Sequence, residues 1–238
     1  MTNNFADNFC IREDYVSRTD ALTFVPDSQE YWTPSRIRRA GTYQYYVYAR
    51  IKQILEQRPS SSFLDVGCGY PTKIVQLIQP VTSNITLIDQ PSMKSTIENA
   101  FPKFRFVSMN LEQPLNTLEK CFDCICVSDV VEHLLNPNPL MRFIHDLSKP
   151  DGIIFISTPE RDMQRGRNCL YSPQREHVRE WTAAEFAEYV RQFGFRILEH
   201  HSLPRGRLFR LEEKLLPLIG NIYKKRYLSC QLVVCKLG

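Results

Sequence analysis

From about residue 62 onward, short apolar runs alternate with longer amphipathic stretches, the pattern of a parallel sheet covered by helices. Seven runs read as strands: SFLDV (62–66), NITLID (84–89), FRFVS (104–108), FDCICVS (122–128), GIIFIST (152–158), FRILEHH (195–201) and SCQLVVCKL (229–237). The runs near 84, 104, 122 and 152 are rich in Ile, Val and Phe without clean alternation, as expected of strands buried on both faces. Helical spacing falls at about 71–79, 92–100, 137–147 and 182–193. The last of these opens with Thr182 and Glu185 three residues on, a capping box, and closes at Gly194.

Residues 1–58 differ. An irregular, aromatic-rich opening leads into a helical pattern, TYQYYVYARIKQILEQR, closed by Pro59. This segment is expected to pack on the sheet, to form a cap or lid, or both, leaving residues 59–238 as the principal domain. The stretch 159–181 is a long polar connection, and connections of that length in a compact chain are functional or disordered. Residues 204–228 insert a further helical pattern before the final strand, and no internal repeat is visible.

At 238 residues the chain suits one large domain. Hydrophobic residues make up 43% and charged residues 24%, which argues against disorder and fibre. The first thirty residues carry acids throughout and no apolar stretch of signal-peptide length, and no segment is long and apolar enough to span a bilayer. A cytoplasmic protein with reduced thiols is therefore expected despite eight cysteines. Cys121, Cys124 and Cys126 sit in an apolar strand, where Cys behaves as a small hydrophobe, and no metal site is assigned there. A net charge of +4, with basic residues interleaved among acids, disfavours nucleic acid. The densest basic clusters are Arg36, Arg38 and Arg39, and Lys224 to Arg226.

The strongest local signal is FLDVGCGYPTK, in which a buried strand ends in Asp65 and runs through Gly67 and Gly69 into a helix. Glycines at such a bend let backbone approach a ligand closely. Twenty residues after Gly69, the next strand ends in Asp89, placed to accept hydrogen bonds from ribose hydroxyls. A nucleotide-like ligand thus fits the carboxyl ends of adjacent strands. A dinucleotide pattern would need glycine where Thr72 stands, with Pro71 and Lys73 beside it, so a pyrophosphate cradle is poorly supported.

Over roughly residues 60–200 the chain resembles the class I S-adenosylmethionine-dependent methyltransferases. Asp65-x-Gly67-x-Gly69 is similar to that family's first motif, and Asp89 to its ribose-binding acid. Met109-Asn110-Leu111 resembles the third motif, with Asn110 in place of an acidic residue that meets the adenine amino group. FDCICVSDVVEHL closely resembles the fourth-strand motif of the branch containing ubiquinone-biosynthesis O-methyltransferases, and KPDGIIFISTPE the motif after it, with Asp151-Gly152 for a Gly-Gly pair. The resemblance implies an α/β fold, a Rossmann-like seven-stranded, mostly parallel sheet with helices on both faces and the last strand antiparallel. It implies S-adenosylmethionine as cofactor, with Asp65, Gly67, Cys68, Gly69, Asp89, Gln90, Asn110, Leu111 and Ser128 around it. Pro71 departs from a third glycine that the family often carries.

A sulfonium methyl is already activated, so the protein chiefly has to align an acceptor and exclude water. A hydroxyl acceptor needs a base, for which His133 and His177 are the candidates, whereas a carboxylate does not. Either histidine is as readily a packing or surface residue. Asp129 stands to orient a base or an acceptor, or to serve as a turn residue, and His200 and His201 look structural. Tyr43, Tyr45, Tyr46 and Tyr48 either wall an acceptor pocket or pack as core. Arg36, Arg38 or Arg39 suit a methionine carboxylate or an anionic acceptor. The expected activity is methylation, on oxygen, of a small molecule or a conjugated natural product, carrier- or glycan-linked acceptors included. Methylation of protein or RNA, and a non-catalytic cofactor-binding scaffold, are the alternatives.

Overall fold

The computed structural model describes residues 9–20, 33–58, 60–115, 118, 121–209, 212 and 227–238. Seven strands, β1 (Phe63–Val66), β2 (Ile85–Asp89), β3 (Arg105–Ser108), β4 (Phe122–Ser128), β5 (Ser148–Pro159), β6 (Phe195–Leu203) and β7 (Cys230–Leu237), form one sheet in the order β3-β2-β1-β4-β5-β7-β6. Pairs from β3 across to β5 are parallel, and β7 runs antiparallel to both β5 and β6. The strand order reverses between β1 and β4, which opens a crevice outside their carboxyl ends.

Successive strand residues point to opposite faces, and both faces are covered. Leu64, Val66, Ile125, Val127, Ile154 and Ile156 pack in one apolar cluster with residues of α4 (Asn138–Leu147) and α6 (Ala183–Arg191). Phe63, Cys124, Cys126, Ile153 and Phe155 pack in a second with α2 (Tyr45–Glu56), the π-helical turn Ile74–Ile78 and α3 (Lys94–Ala100). Two covered faces explain why these strands read as continuous apolar runs. The eight cysteines are unpaired thiols, Cys124 and Cys126 sharing a face and Cys121 lying exposed before the strand.

The capping box of α6 forms as expected: Thr182 Oγ1 accepts from Glu185 N at 3.3 Å and Glu185 Oε2 from Thr182 N at 2.8 Å. Gly152 is dictated by crowding where β4 and β5 shift register, because a Cβ there would stand 2.6 Å from Ser148 Oγ and 2.9 Å from Phe122 O. Pro71 is compatible with its loop. Its carbonyl accepts the first helical hydrogen bond, from Val75 N at 3.0 Å, at a position where no backbone donor is required.

Some elements differ from expectation. The basic cluster at Arg36 to Arg39 lies in a short helix, α1 (Pro34–Ala40), started by Thr33, whose side chain caps Arg36 N, and by Pro34. The helix expected over 42–58 begins only at Tyr45, since Gln44 has a left-handed backbone with φ of 50°. The 159–181 connection contains α5 (Arg161–Arg165) and closes on itself, Glu160 pairing with Trp181. Lys224 to Arg226 and most of the 204–228 helical pattern lie outside the described residues, as do 1–8 and 21–32. Among the described residues no helix is long and apolar enough to cross a membrane.

Candidate active site

The chain leaves β1 at Asp65 and Val66, whose partners in β2 are Leu87 and Ile88, and turns through Gly67 (φ 74°) and Gly69 (φ 53°). Gly67 N and Cys68 N both donate to Ile88 O, at 2.8 and 3.1 Å. A Cβ on Gly67 would lie 2.4 Å from Val130 Cγ2, so the turn is closed against the end of β4 as well. Asp89 then grips the turn: Oδ2 accepts from Gly69 N and Oδ1 from Gln90 N, each at 2.7 Å. Burial raises the Asp89 carboxyl and these two N–H groups oppose the rise. Each oxygen keeps a further lone pair for a ligand hydroxyl.

Met109 N donates to Asp89 O at 2.9 Å, which ties the end of β3 to the end of β2. Asn110 is exposed there, its Oδ1 accepting from Glu112 N at 3.0 Å, and Leu111 packs against the core. Asp65, Gly67, Cys68, Gly69, Asp89, Gln90, Asn110 and Leu111 therefore line successive strand ends, as the sequence reading expected.

Beneath the turn, Asp65, Tyr48 and Lys73, which the sequence does not link to one another, form one buried polar group. Tyr48 Oη donates to Asp65 Oδ2 at 2.8 Å, and Lys73 Nζ, 4.9 Å from the centre of the Tyr48 ring, donates to Ala40 O at 2.7 Å. Burial pushes the Asp65 carboxyl up to about 6, against the pull of the Tyr48 hydroxyl and the Lys73 ammonium. Asp65 Oδ1 is buried without a hydrogen-bond partner among the described residues.

On the far side of the crevice, Ser128 ends β4 with its hydroxyl 2.9 Å from that of Ser157 in β5. Asp129 follows with φ of 52°, its Oδ1 accepting from Ser157 Oγ at 3.1 Å and its Oδ2 from Gln44 Nε2. Burial raises this carboxyl, opposed first by Arg205 and then by His177. The sequence carried no signal for Gln44 or Arg205, because the one sits before α2 and the other beyond β6.

His133 and His177 meet edge to face with ring centroids 4.8 Å apart. His133 Nδ1 lies 2.7 Å from Glu176 O, and His177 Nδ1 lies 2.7 Å from Glu180 Oε1. A carbonyl and a carboxylate only accept, so both imidazoles carry a proton on Nδ1 and turn Nε2 away from these partners. His177 is buried, not a surface residue. Glu180 is wholly buried, receives Arg165 and Ser172 as well, and is held down to about 2 by His177 and Arg165 in spite of burial. Burial and the neighbouring His177 lower His133 to about 4.

Glu132 is also fully buried, Oε2 accepting from Thr158 Oγ1 at 3.0 Å and Oε1 without a partner among the described residues. Burial and Asp129 push its carboxyl well above the ordinary range. Glu132, His133 and His177 each place one donor atom within 4.8 Å of the others. A divalent cation could be held there after contraction of the set and loss of any proton on Glu132.

The tyrosines divide. Tyr48 is core, whereas Tyr43 and Tyr45 underlie Arg205 and Arg207, and Tyr46 Oη accepts from Leu208 N at 3.2 Å. Arg36 lies 3.6 Å from Glu176, the residue whose carbonyl holds His133. His200 and His201 belong to β6, away from the crevice.

A methyltransferase-domain family model matches residues 39–200. The mitochondrial ubiquinone biosynthesis O-methyltransferase of Rattus norvegicus is 32% identical over 104 residues, covering 40% of this chain and 30% of that protein. The chain spans about half or less of the length of the curated relatives it matches. Among solved structures, the Burkholderia thailandensis 1,6-didemethyltoxoflavin-N1-methyltransferase with bound 1,6-didemethyltoxoflavin and S-adenosylhomocysteine superposes with a TM-score of 0.57 at 20% identity, covering 82% of this chain and 80% of that one. An S-adenosylmethionine-dependent methyltransferase from Mesorhizobium loti superposes with a TM-score of 0.60 at 14% identity, covering 80% and 97%. These structures share the fold.

Proposed function

Because the chain belongs to the methyltransferase-domain family, we propose that it transfers a methyl group from S-adenosylmethionine to an oxygen of a small-molecule acceptor. The observation that carries the reading is the Asp89 carboxylate bonded to Gly69 N at 2.7 Å, which joins the glycine turn and the strand-end acid into one cleft. The residues present fit the cofactor, since each Asp89 oxygen accepts one backbone N–H and keeps a lone pair for a hydroxyl, and Asp65 Oδ1 is buried beneath the turn without a partner among the described residues. When bound, S-adenosylmethionine supplies a methyl on a sulfonium: the S–CH3 bond breaks, an O–CH3 bond forms, and the sulfur departs as a neutral thioether.

The chain's residues do the rest. Asp89 and Gln90 receive the ribose, the backbone of Gly67, Cys68 and Gly69 lies along the cofactor, and Asn110 and Leu111 border the adenine. Ser128 and Asp129 close the methionine end. A hydroxyl acceptor gives its proton to an imidazole Nε2. His177 suits this role better than His133, because a charged Glu180 orients His177 and stabilises it once protonated. Residues 1–58 serve as a cap on residues 59–238, which the Lys73–Ala40 and Gln44–Asp129 hydrogen bonds support. Similarity to ubiquinone-biosynthesis O-methyltransferases supports oxygen as the target; a cytoplasmic setting and tailoring of natural products, carrier- or glycan-linked ones included, complete the proposal.

Calorimetric titration tests this. Saturable binding of S-adenosylmethionine, weakened about tenfold or more by Asp89→Ala as two charge-assisted hydrogen bonds are lost, is expected. No binding to the wild-type chain overturns the reading.

A further inference from the structure

We propose that Arg205 is the acceptor-recognition residue, and that it selects an acceptor bearing an oxyanion, a carboxylate or a phosphate. The inference rests on the methyltransferase reading and deepens it.

Arg205 sits just beyond β6, where the chain is clasped to the segment before α2. Gln44 N donates to Arg205 O and Arg207 N to Thr42 O, both at 2.9 Å, and Tyr43 bridges Gly206. Clasped on both sides, Arg205 carries its guanidinium 5.2 Å from the centre of the Tyr43 ring. A guanidinium on an aromatic face keeps its in-plane N–H fork free for bidentate bonding.

That fork has no hydrogen bond or ion pair among the described residues, and Nε is buried without a partner. Asp129 does not fill the role: its carboxylate accepts from Gln44 Nε2 and Ser157 Oγ, and among the described residues no hydrogen bond or ion pair joins it to Arg205. Gln44, whose N donates to Arg205 O and whose side chain donates to Asp129, sets Arg205 beside the end of β4, and the Arg205 charge is felt at Asp129 and at Cys230. Apart from Ser128 and Asp129 at the methionine end, the cofactor residues line β1, β2 and β3, so a cation beyond that end, towards β7, stands on the side left for the acceptor. An anion of a carboxylate or phosphate ester matches the fork in charge and geometry.

The test uses the full chain saturated with S-adenosylhomocysteine and titrated calorimetrically with benzoate, phenyl phosphate and neutral benzyl alcohol. Binding of one or both anions, with no saturable binding of benzyl alcohol, is expected, and the stronger of the two identifies the oxyanion. Arg205→Gln should weaken that anion about tenfold or more, Arg205→Lys less, and neither should alter the affinity for S-adenosylhomocysteine. The proposal falls if neither anion binds, if Arg205→Gln binds it as wild type does, or if Arg205→Gln instead weakens S-adenosylhomocysteine. Failure of wild type to bind S-adenosylhomocysteine at all is a separate result that removes the methyltransferase reading itself. Unchanged thermal melting of Arg205→Lys confirms that the clasp is intact.

Discussion

Gln44 and Asp129, 85 residues apart, are joined by a hydrogen bond between two side chains whose backbones are both left-handed, with φ of 50° and 52°. Such a backbone costs a non-glycine residue about 1–3 kcal/mol, so both are held by their surroundings. Gln44→Ala leaves a buried carboxylate short of one donor and keeps the strain. It should lower stability by about 1–3 kcal/mol in urea denaturation. Gln44→Gly, which relieves the strain and also lacks the amide, should fall between wild type and Gln44→Ala. Equal midpoints for all three would show that the bond contributes nothing to holding Gln44 against the end of β4.

Gly67 and Val130 meet so closely that a Cβ on the glycine would stand 2.4 Å from a valine methyl, at a φ of 74°. Gly67→Ala should destabilise the chain by about 2–4 kcal/mol, from overpacking and backbone strain together. Adding Val130→Ala should restore the steric share alone, leaving about 1–2 kcal/mol of backbone strain. A double-mutant cycle by denaturation checks this, and strict additivity would rule out the contact.

The strands were legible because each is an apolar run of strand length, and the antiparallel last strand followed from resemblance. The strand-end residues Gly67, Gly69 and Asp89 were legible for the same reason, since a motif at a strand end needs only the strand to be placed. Gln44 and Arg205 were not legible. Nothing beside them in the chain marks them, and they reach the crevice only because Thr42 to Gln44 pair with Arg205 to Arg207. Helix α1 has a legible start in Thr33 and Pro34 but buries no residue, so no apolar stripe marks it. Glu180 lies in a polar connection, and only its burial and its bond to His177 set it apart.

Asp65 makes stability depend on pH in a stated direction. Its folded carboxyl titrates at about 6, above the unfolded value of 3.8. The folded state thus holds more proton between those values. This group favours folding fully below about pH 4 and progressively loses that effect as pH rises through 6. Asp65→Asn, which cannot ionise, should gain on wild type by up to about 3 kcal/mol across that interval and no further above it. Urea midpoints at pH 4, 5, 6 and 7 and fixed ionic strength read the difference, and a parallel pair of curves would contradict it.

Glu180 orients His177 through a 2.7 Å hydrogen bond to Nδ1. Glu180→Gln keeps an oxygen able to accept from His177 Nδ1 but carries no charge to stabilise a protonated imidazole. Turnover of S-adenosylmethionine to S-adenosylhomocysteine should fall on the order of 100-fold, with cofactor affinity unchanged. Unaltered turnover would leave Glu180 a packing residue.

The final strand runs against its neighbours, so β6 ends and β7 begins side by side, Leu203 opposite Cys230, at the same rim as the reactive crevice. The chain therefore leaves β6 and enters β7 at neighbouring points of one sheet edge. A change of length or sequence between those two points leaves the β6–β7 ladder itself untouched, so the sheet tolerates divergence at this edge without losing its register.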